Sequence, residues 1–428
     1  MRKSKRSLVA GAIALALSAP ASAQFSNVYF FGDSLSDMGS FKPVLPPGTG
    51  LFTTNPGPVW AAPFAQHYGF TAVPANQGGN DYAYGGANVT ATPGYPDTPP
   101  ISSAVPIVNQ VTQFLTKGPL DQNAIYSVWG GANDMNATLD KVFAGQMTQA
   151  QAQAYMAGVA KDLVTQVARL SAAGARYIIV VDIPDVGKTP DALDAHQSAA
   201  ITAFTQYFNG LVRTGLDGLG IQTIRLNTFS LLNELVANPA AYGFTNSTQR
   251  ACGATTAVLC TPASLVDPKA PQTYMFADGH HPTTALSAIF AQYAISVIDA
   301  PQQMGLLGQQ PLGVEQANWR ALDGRMASST NARGAGRFEA WAAYDYGSPD
   351  YSSYQQSGNG DVNTISVGGD MKASDRLLVG VQFGYSENKA DYGGANLKLR
   401  EPMGTFYAGY GEGPVSYTHL TLPTILLV

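Results

Sequence analysis

Near residue 300 the hydrophobic period of the chain changes from that of alternating strands and helices to a strict period of two, so its two halves need different folds. Before the change, Val28 to Phe31, "AIYSVWGG" (124–131), "RYIIVVDIP" (176–184) and "IQTIRLN" (221–227) read as strands. Residues 152–173, 191–216, 228–237 and 283–298 carry helical spacing; in the first of these Tyr155, Val159, Leu163 and Val167 recur every fourth position, with Gly174 as a cap. Strands alternating with helices predict an α/β domain with a mostly parallel sheet. The near-continuous β-branched run at 176–184 fits a strand covered on both faces.

Residues 301–314 read as a linker, which with a lead-in extends to 336. Beyond it Phe338, Ala340, Ala342, Tyr344 and Tyr346 share one strand face, and Arg337, Glu339 and Asp345 the other. In "RLLVGVQFGYS" (376–386), Leu377, Val379, Val381, Phe383 and Tyr385 alternate with Gly380, Gln382, Gly384 and Ser386. Apolar residues alternating with polar or small ones over about ten positions are the pattern of a transmembrane β-barrel strand. About four such strands fit between Arg337 and Tyr410, fewer than the roughly eight of the smallest bacterial barrels. The expectation is an incomplete antiparallel barrel over 337–414, unable to close by itself. The uncharged stretch 415–428, with Pro423 in mid-run, breaks the alternation and reads as foreign to the fold.

The N-terminus explains part of the composition. Arg2, Lys3, Lys5 and Arg6 precede an apolar Leu8–Leu17 stretch and the small-residue site Ala21-Ser22-Ala23, the layout of a secretory signal peptide over 1–23. Losing those four positive charges takes the formal net charge from −5 to −9, which disfavours nucleic acid as a partner. Only 12% of residues are charged, about half the usual share, as in many secreted and outer-membrane proteins. In an oxidising compartment Cys252 and Cys260, eight positions apart, are expected to form a local disulfide.

The chemistry centres on "NVYFFGDSLSDMG" (27–39), where an apolar strand runs into Gly32-Asp33-Ser34. A serine at a strand's carboxyl end is placed to be a nucleophile, but its hydroxyl needs a base. Of the five histidines, His419 lies in the tail, and His67 and His196 sit in helix-like contexts with no acid or nucleophile at suggestive spacing in the sequence. "FADGHHPTT" (276–284) remains; in its Asp-x-x-His, one turn brings Asp278 to the imidazole of His281 and leaves Nε2 for a hydroxyl proton. A metal held by Asp278, His280 and His281 is the weaker reading, since adjacent side chains are expected to diverge. "YAYGGAN" (82–88) and "GGAND" (130–134) supply glycine turns and the Asn133 amide, donor types that stabilise an oxyanion.

Taken in order, Gly-Asp-Ser-Leu, Gly-Gly, Gly-Ala-Asn-Asp and Asp-x-x-His-Pro resemble the GDSL esterase/lipase family, the SGNH hydrolases, over about residues 25–300. The resemblance implies a flavodoxin-like parallel sheet flanked by helices, a domain over 24–300, and hydrolysis of acyl esters or lipids without metal or organic cofactor. It implies Ser34 as nucleophile, Asp278 and His281 as the rest of a triad, and an oxyanion hole from Ser34, Asn133 and a glycine of Gly85-Gly86, with Gly86 preferred on spacing. Asp33 and Asp37 are expected to hold the turn. The second half resembles the translocator domain of autotransporters, which implies export to the outer membrane and cell surface. A phospholipase or acyltransferase acting on lipids, and a non-catalytic adhesin, are the alternatives. The walls of the substrate pocket are expected from loops such as 41–58 and 91–106.

Overall fold

The apolar run after Asn27 forms strand β1 (Val28–Gly32), at the edge of a four-stranded parallel sheet in a computed structural model. Residues 25–329, 335–353, 356–391, 396–412 and 415–418 are described, so the expected signal peptide and the chain beyond 418 lie outside the described residues. The chain divides into two compact units, one ending at Ile298 and one running from Asp299.

In the first unit, β1 is followed by helices α1 (Ala61–His67) and α2 (Ile107–Leu115), β2 (Ile125–Trp129), α3 (Ala132–Phe143), α4 (Gln149–Ala172) and β3 (Tyr177–Val181). Helix α5 (Ser198–Leu219), β4 (Ile224–Leu226), α6 (Thr228–Ala237), β5 (Asn246–Arg250), β6 (Tyr274–Phe276) and α7 (Thr284–Leu307) complete it. The sheet order is β1-β2-β3-β4, all parallel, and β2 is buried at all five positions. Two apolar cores cover its faces: Phe30, Trp60, Phe64 and Trp129 belong to one, Phe31, Tyr126, Val128 and Phe208 to the other.

A flavodoxin-like order would place a further strand outside β1. Residues 80–84 run there instead as irregular chain, with Tyr82 N–H on Phe30 O at 2.8 Å and one isolated bridge, Phe30 to Asp81. The helix expected over 191–216 is broken. Pro190–Asp194 forms one short turn and α5 starts at Ser198, because His196 between them is left-handed, with φ 55°.

The linker reading is corrected. Helix α7 continues through Pro301, and α8 (Gln310–Ser329) follows almost at once. Gln, Met and Leu after Pro301 are good helix formers, which sequence punctuation alone obscured. Helix α8 shows little apolar periodicity because its partner surface is polar. Val314, Ala317 and Leu322 are buried on it beside Asn318, which donates to Thr405 Oγ1 at 3.3 Å and accepts from Gln382 Nε2 at 2.7 Å. Arg325 is bidentate on buried Asp370, at 2.7 and 2.9 Å.

That surface is one face of an antiparallel sheet: β7 (Phe338–Gly347), β8 (Asp350–Ser353), β9 (Gln356–Lys372), β10 (Leu377–Asp391), β11 (Asn396–Glu412) and β12 (Val415–Thr418). The order is β12-β11-β10-β9-β7, with β8 also on β9; five of these strands, β7–β11, begin between Arg337 and Tyr410, where the sequence suggested about four. The expected alternation is present in space. Phe338, Tyr344, Phe383 and Phe406 are 64–66% exposed, while Thr364, Ser366, Gln382, Ser386 and Asn388 are buried. The first residues of the tail read as foreign, Val415–Thr418, pair with β11.

Candidate active site

Gly32 ends β1 where a side chain has no room, since a Cβ there would lie 2.3 Å from Trp129 O of β2. The close approach directs the next residues, Asp33 and Ser34, over the carboxyl end of the sheet. The turn is closed by Asp33, whose carbonyl accepts the N–H groups of Ser36 and Asp37 and whose Oδ1 accepts Leu35 N–H, each at 3.1 Å. Asp37 accepts Gly39 N–H at 2.8 Å and the Ser40 N–H and hydroxyl at 2.6 and 2.7 Å.

The turn between β6 and α7 brings a base to this serine. His281 Nε2 lies 3.0 Å from Ser34 Oγ, and Nδ1 lies 3.0 and 2.9 Å from the two oxygens of Asp278. An ionised carboxylate only accepts, so Asp278 fixes the proton on Nδ1 and turns the Nε2 lone pair to the hydroxyl. Backbone N–H groups of Ala257 (2.7 Å), His281 (2.8 Å) and His280 (3.1 Å) also donate to Asp278. Burial pushes Asp278 up, but the His281 charge and hydrogen bond outweigh it and hold the carboxyl well below the usual range. Burial also lowers His281, against the opposing pull of Asp278.

His280 turns to Asp191 instead, with Nδ1 3.1 Å from its carboxylate, which also bonds Arg250 at 2.8 Å. The two adjacent histidine side chains do not diverge as expected; their ring centroids are 4.2 Å apart. Asp278, His280 and His281 thereby bring one ligand atom each within 4.8 Å, close enough to share a metal ion. In that cluster both Asp278 oxygens and His281 Nδ1 are already bonded to each other.

The glycine turn 85–88 is tied to Asp37, in the turn after Ser34, and to Asn133. Gly85 N–H donates to Asp37 Oδ2 at 2.8 Å, and Gly86 adopts φ +78°, which glycine takes without strain. Among the described residues, no acceptor of the chain takes the backbone N–H of Ser34 or of Gly86. Asn133, in the first turn of α3, spends one amide N–H on Ala87 O at 3.0 Å and has the other to offer. Asp134 Oδ2 takes Val89 N–H at 2.9 Å, so the glycine turn is held on both flanks. Asp37 and Asp134 carry these ties, and the sequence signals them only as acids adjoining the Ser34 and Asn133 motifs.

An apolar cavity of about 50 Å³ opens beside Ser34 and His281. Ile183, Pro184, Val186, Leu232, Leu286 and Phe290 are among its walls. The loops 41–58 and 91–106 are absent from the lining, contrary to expectation; the walls come from the chain after β3 and from α6 and α7. Loop 41–58 reaches the site differently, through Phe52, whose ring centroid is 5.2 Å from that of His281. Cys252 and Cys260 are disulfide-bonded. His67 and His196 lie outside the cavity lining.

The family model for GDSL-like lipase/acylhydrolase matches residues 28–294. Esterase EstA of Pseudomonas aeruginosa is 28% identical over 96% of this chain and 69% of its own length. Lipase 1 of Photorhabdus luminescens is 25% identical over 88% of this chain and 64% of its own. A phosphatidylcholine-sterol acyltransferase of Aeromonas hydrophila is 28% identical over 48% of this chain and 57% of its own. The chain thus spans about two thirds of the length of the two longer matches. With the family model covering more than half of its residues, the chain belongs to the GDSL-like lipase/acylhydrolase family of carboxylic ester hydrolases.

Proposed function

We propose that the chain hydrolyses acyl esters through an acyl-serine intermediate on Ser34. The observation that carries this reading is the alignment of Asp278, His281 Nδ1, His281 Nε2 and Ser34 Oγ in one run of contacts of 2.9–3.0 Å. His281 takes the hydroxyl proton as Ser34 attacks the carbonyl carbon, then gives it to the departing alcohol. Water, deprotonated by the same imidazole, then releases the acid and restores Ser34. The oxyanion of each tetrahedral intermediate is received by the N–H groups of Ser34 and Gly86 and the amide of Asn133. Gly86 is favoured over Gly85 because the Gly85 N–H is spent on Asp37. The apolar cavity beside Ser34 suits the acyl chain.

Acyl transfer to an alcohol uses the same intermediate with the alcohol in place of water, and the named activity of the Aeromonas relative favours testing it. Purified protein with a series of p-nitrophenyl esters from acetate to palmitate, with and without a sterol or long-chain alcohol, separates the two. Turnover without acceptor supports hydrolysis; no turnover on any ester under either condition overturns both.

The leader-like N-terminus, and the outward apolar and inward polar faces of β7–β11, support export and outer-membrane attachment through a barrel. Cell fractionation with external protease tests this: esterase activity confined to the cytoplasm contradicts it.

A further inference from the structure

The disulfide lies next to the active-site acid. Beyond β5, Ala251 N–H bonds Phe276 O at 2.9 Å and Cys252 N–H bonds Ala277 O at 2.8 Å, pinning one end of the cross-linked loop to the strand that leads into Asp278. At the other end Cys260 N–H bonds Ala257 O at 3.1 Å. Between them Ala257 donates its N–H to Asp278 Oδ2 at 2.7 Å, and its carbonyl accepts Asn55 Nδ2 at 2.9 Å. Cys252, Ala257 and Cys260 are buried against Ala277, whereas Ala254, Thr256 and Leu259 are exposed. Apart from the cross-link, the loop is held by Val258, which packs against the Phe41 and Phe52 cluster and accepts Gly50 N–H at 2.8 Å, and by Asn55 on Ala257 O.

The two oxygens of Asp278 are secured differently. Oδ1 takes the N–H groups of His280 and His281, both from its own turn. Among the described residues, the backbone donor on Oδ2 is Ala257, from the cross-linked loop. Donors on Oδ1 alone restrict rotation about the Cβ–Cγ bond less tightly than donors on both oxygens, so the Ala257 N–H on Oδ2 helps to set the carboxylate plane. That plane decides how squarely the carboxylate meets His281 Nδ1–H.

We propose that the Cys252–Cys260 loop is a positioning device for catalysis: the cross-link holds the Ala257 N–H on Asp278 Oδ2 and so orients the carboxylate that orients His281. Ala257 and the two cysteines act through Asp278 and do not touch substrate. This rests on Asp278 being the acid of the triad.

The test is a cycle in the full chain: Cys252→Ala with Cys260→Ala, in the parent and in an Asp278→Asn background. The readouts are KM and kcat per site titrated with a phosphonate ester. In the parent background kcat should fall about 10–100-fold, the effect of losing one hydrogen bond to a charged group, with KM within about twofold. In the Asp278→Asn background, removing the cysteines should change kcat less than about twofold, because the group they act through is already altered. Equal losses in both backgrounds, or a parent kcat unchanged by opening the loop, would overturn the proposal. An Asp278→Asn variant that retains parental kcat would instead overturn the assignment of the acid. If the cysteine-free chain gives no titratable sites, Ala257→Pro carries the same cycle with the disulfide intact. It deletes only the donor, at the first position of a 3₁₀ turn after extended Thr256, where proline suits the backbone. An Ala257→Pro loss of the same size in both backgrounds, or none in either, counts equally against the proposal.

Discussion

The unit ending at Ile298 and the strand unit after it bury opposite kinds of side chain. In the first, Trp60, Phe30, Val128 and Trp129 are inside, and the buried acids gather around the turns at the carboxyl end of the sheet. In the second, Thr364, Ser366, Asp370, Gln382 and Asn388 are inside, and Phe338, Tyr344, Phe383 and Phe406 face out. Many inward polar groups bond one another and α8: Gln382 Nε2 to Asn318 and Ser366, Thr364 to Ser386 at 2.9 Å, Asp370 to Arg325. Alternation says which residues share a face; it does not say which face is wet. In the first unit the solvent contrast that drives folding is water against hydrocarbon core. In the second an apolar exterior is stable only if something other than water covers it.

Substitutions should divide along the same line. Asp278→Asn should lower kcat by about 10⁴-fold in an ester assay, because a neutral amide stabilises the wrong imidazole tautomer. Asn133→Ala should cost about 10²–10³-fold in kcat with little change in KM, as for loss of one oxyanion donor. A matched pair of strand variants probes packing. Val128→Asn, in the buried centre of the parallel sheet, should cost about 3 kcal/mol or more, since an amide there has no partner. Val381→Asn, 37% exposed, should shift denaturant unfolding in aqueous buffer by less than about 0.5 kcal/mol. Equal costs at the two positions would show that Val381 is packed inside protein and not on an outward face of β10.

A pH-dependent effect concerns Asp33. Burial raises its carboxyl from the ordinary 3.8 to about 7, and its Oδ2 has no hydrogen-bond partner. A raised acid holds its proton in the folded state after the unfolded chain has lost it, so stability falls as pH rises from about 4 to about 7 and then levels. Asp33→Asn should flatten that slope, raising the melting temperature more at pH 8 than at pH 4. Some slope should remain, because buried Asp134 is raised to about 7 as well. A parallel shift at all pH values would contradict the account.

Much of this architecture is legible in the sequence wherever a local signal suffices. The runs at β1 and β3 and the helix Thr228–Ala237 are read directly, because contiguous apolar residues and helical spacing are local properties. Helix α8 is not, since its buried face is partly polar and matches a polar sheet surface. The break at His196 depends on one left-handed residue, and the irregular edge beside β1 on long-range bonds to Asn80 and Tyr82. Around Ser34 the residue types and their order point to the site. The distinction between Gly85 and Gly86 depends on Asp37 reaching across 48 positions, and the cavity walls on side chains from α6 and α7. Neither has a local signature.

Covalent labelling of Ser34 tests the central claim most directly. Incubation with a p-nitrophenyl phosphonate should release one nitrophenolate per chain, abolish turnover and add one phosphonyl group, found by mass spectrometry on Ser34. Ser34→Ala should take up no label and lose at least about 10⁴-fold in kcat, with its circular dichroism unchanged. Label on another residue with Ser34 unmodified, or Ser34→Ala turning over esters near the parental rate, would contradict the account.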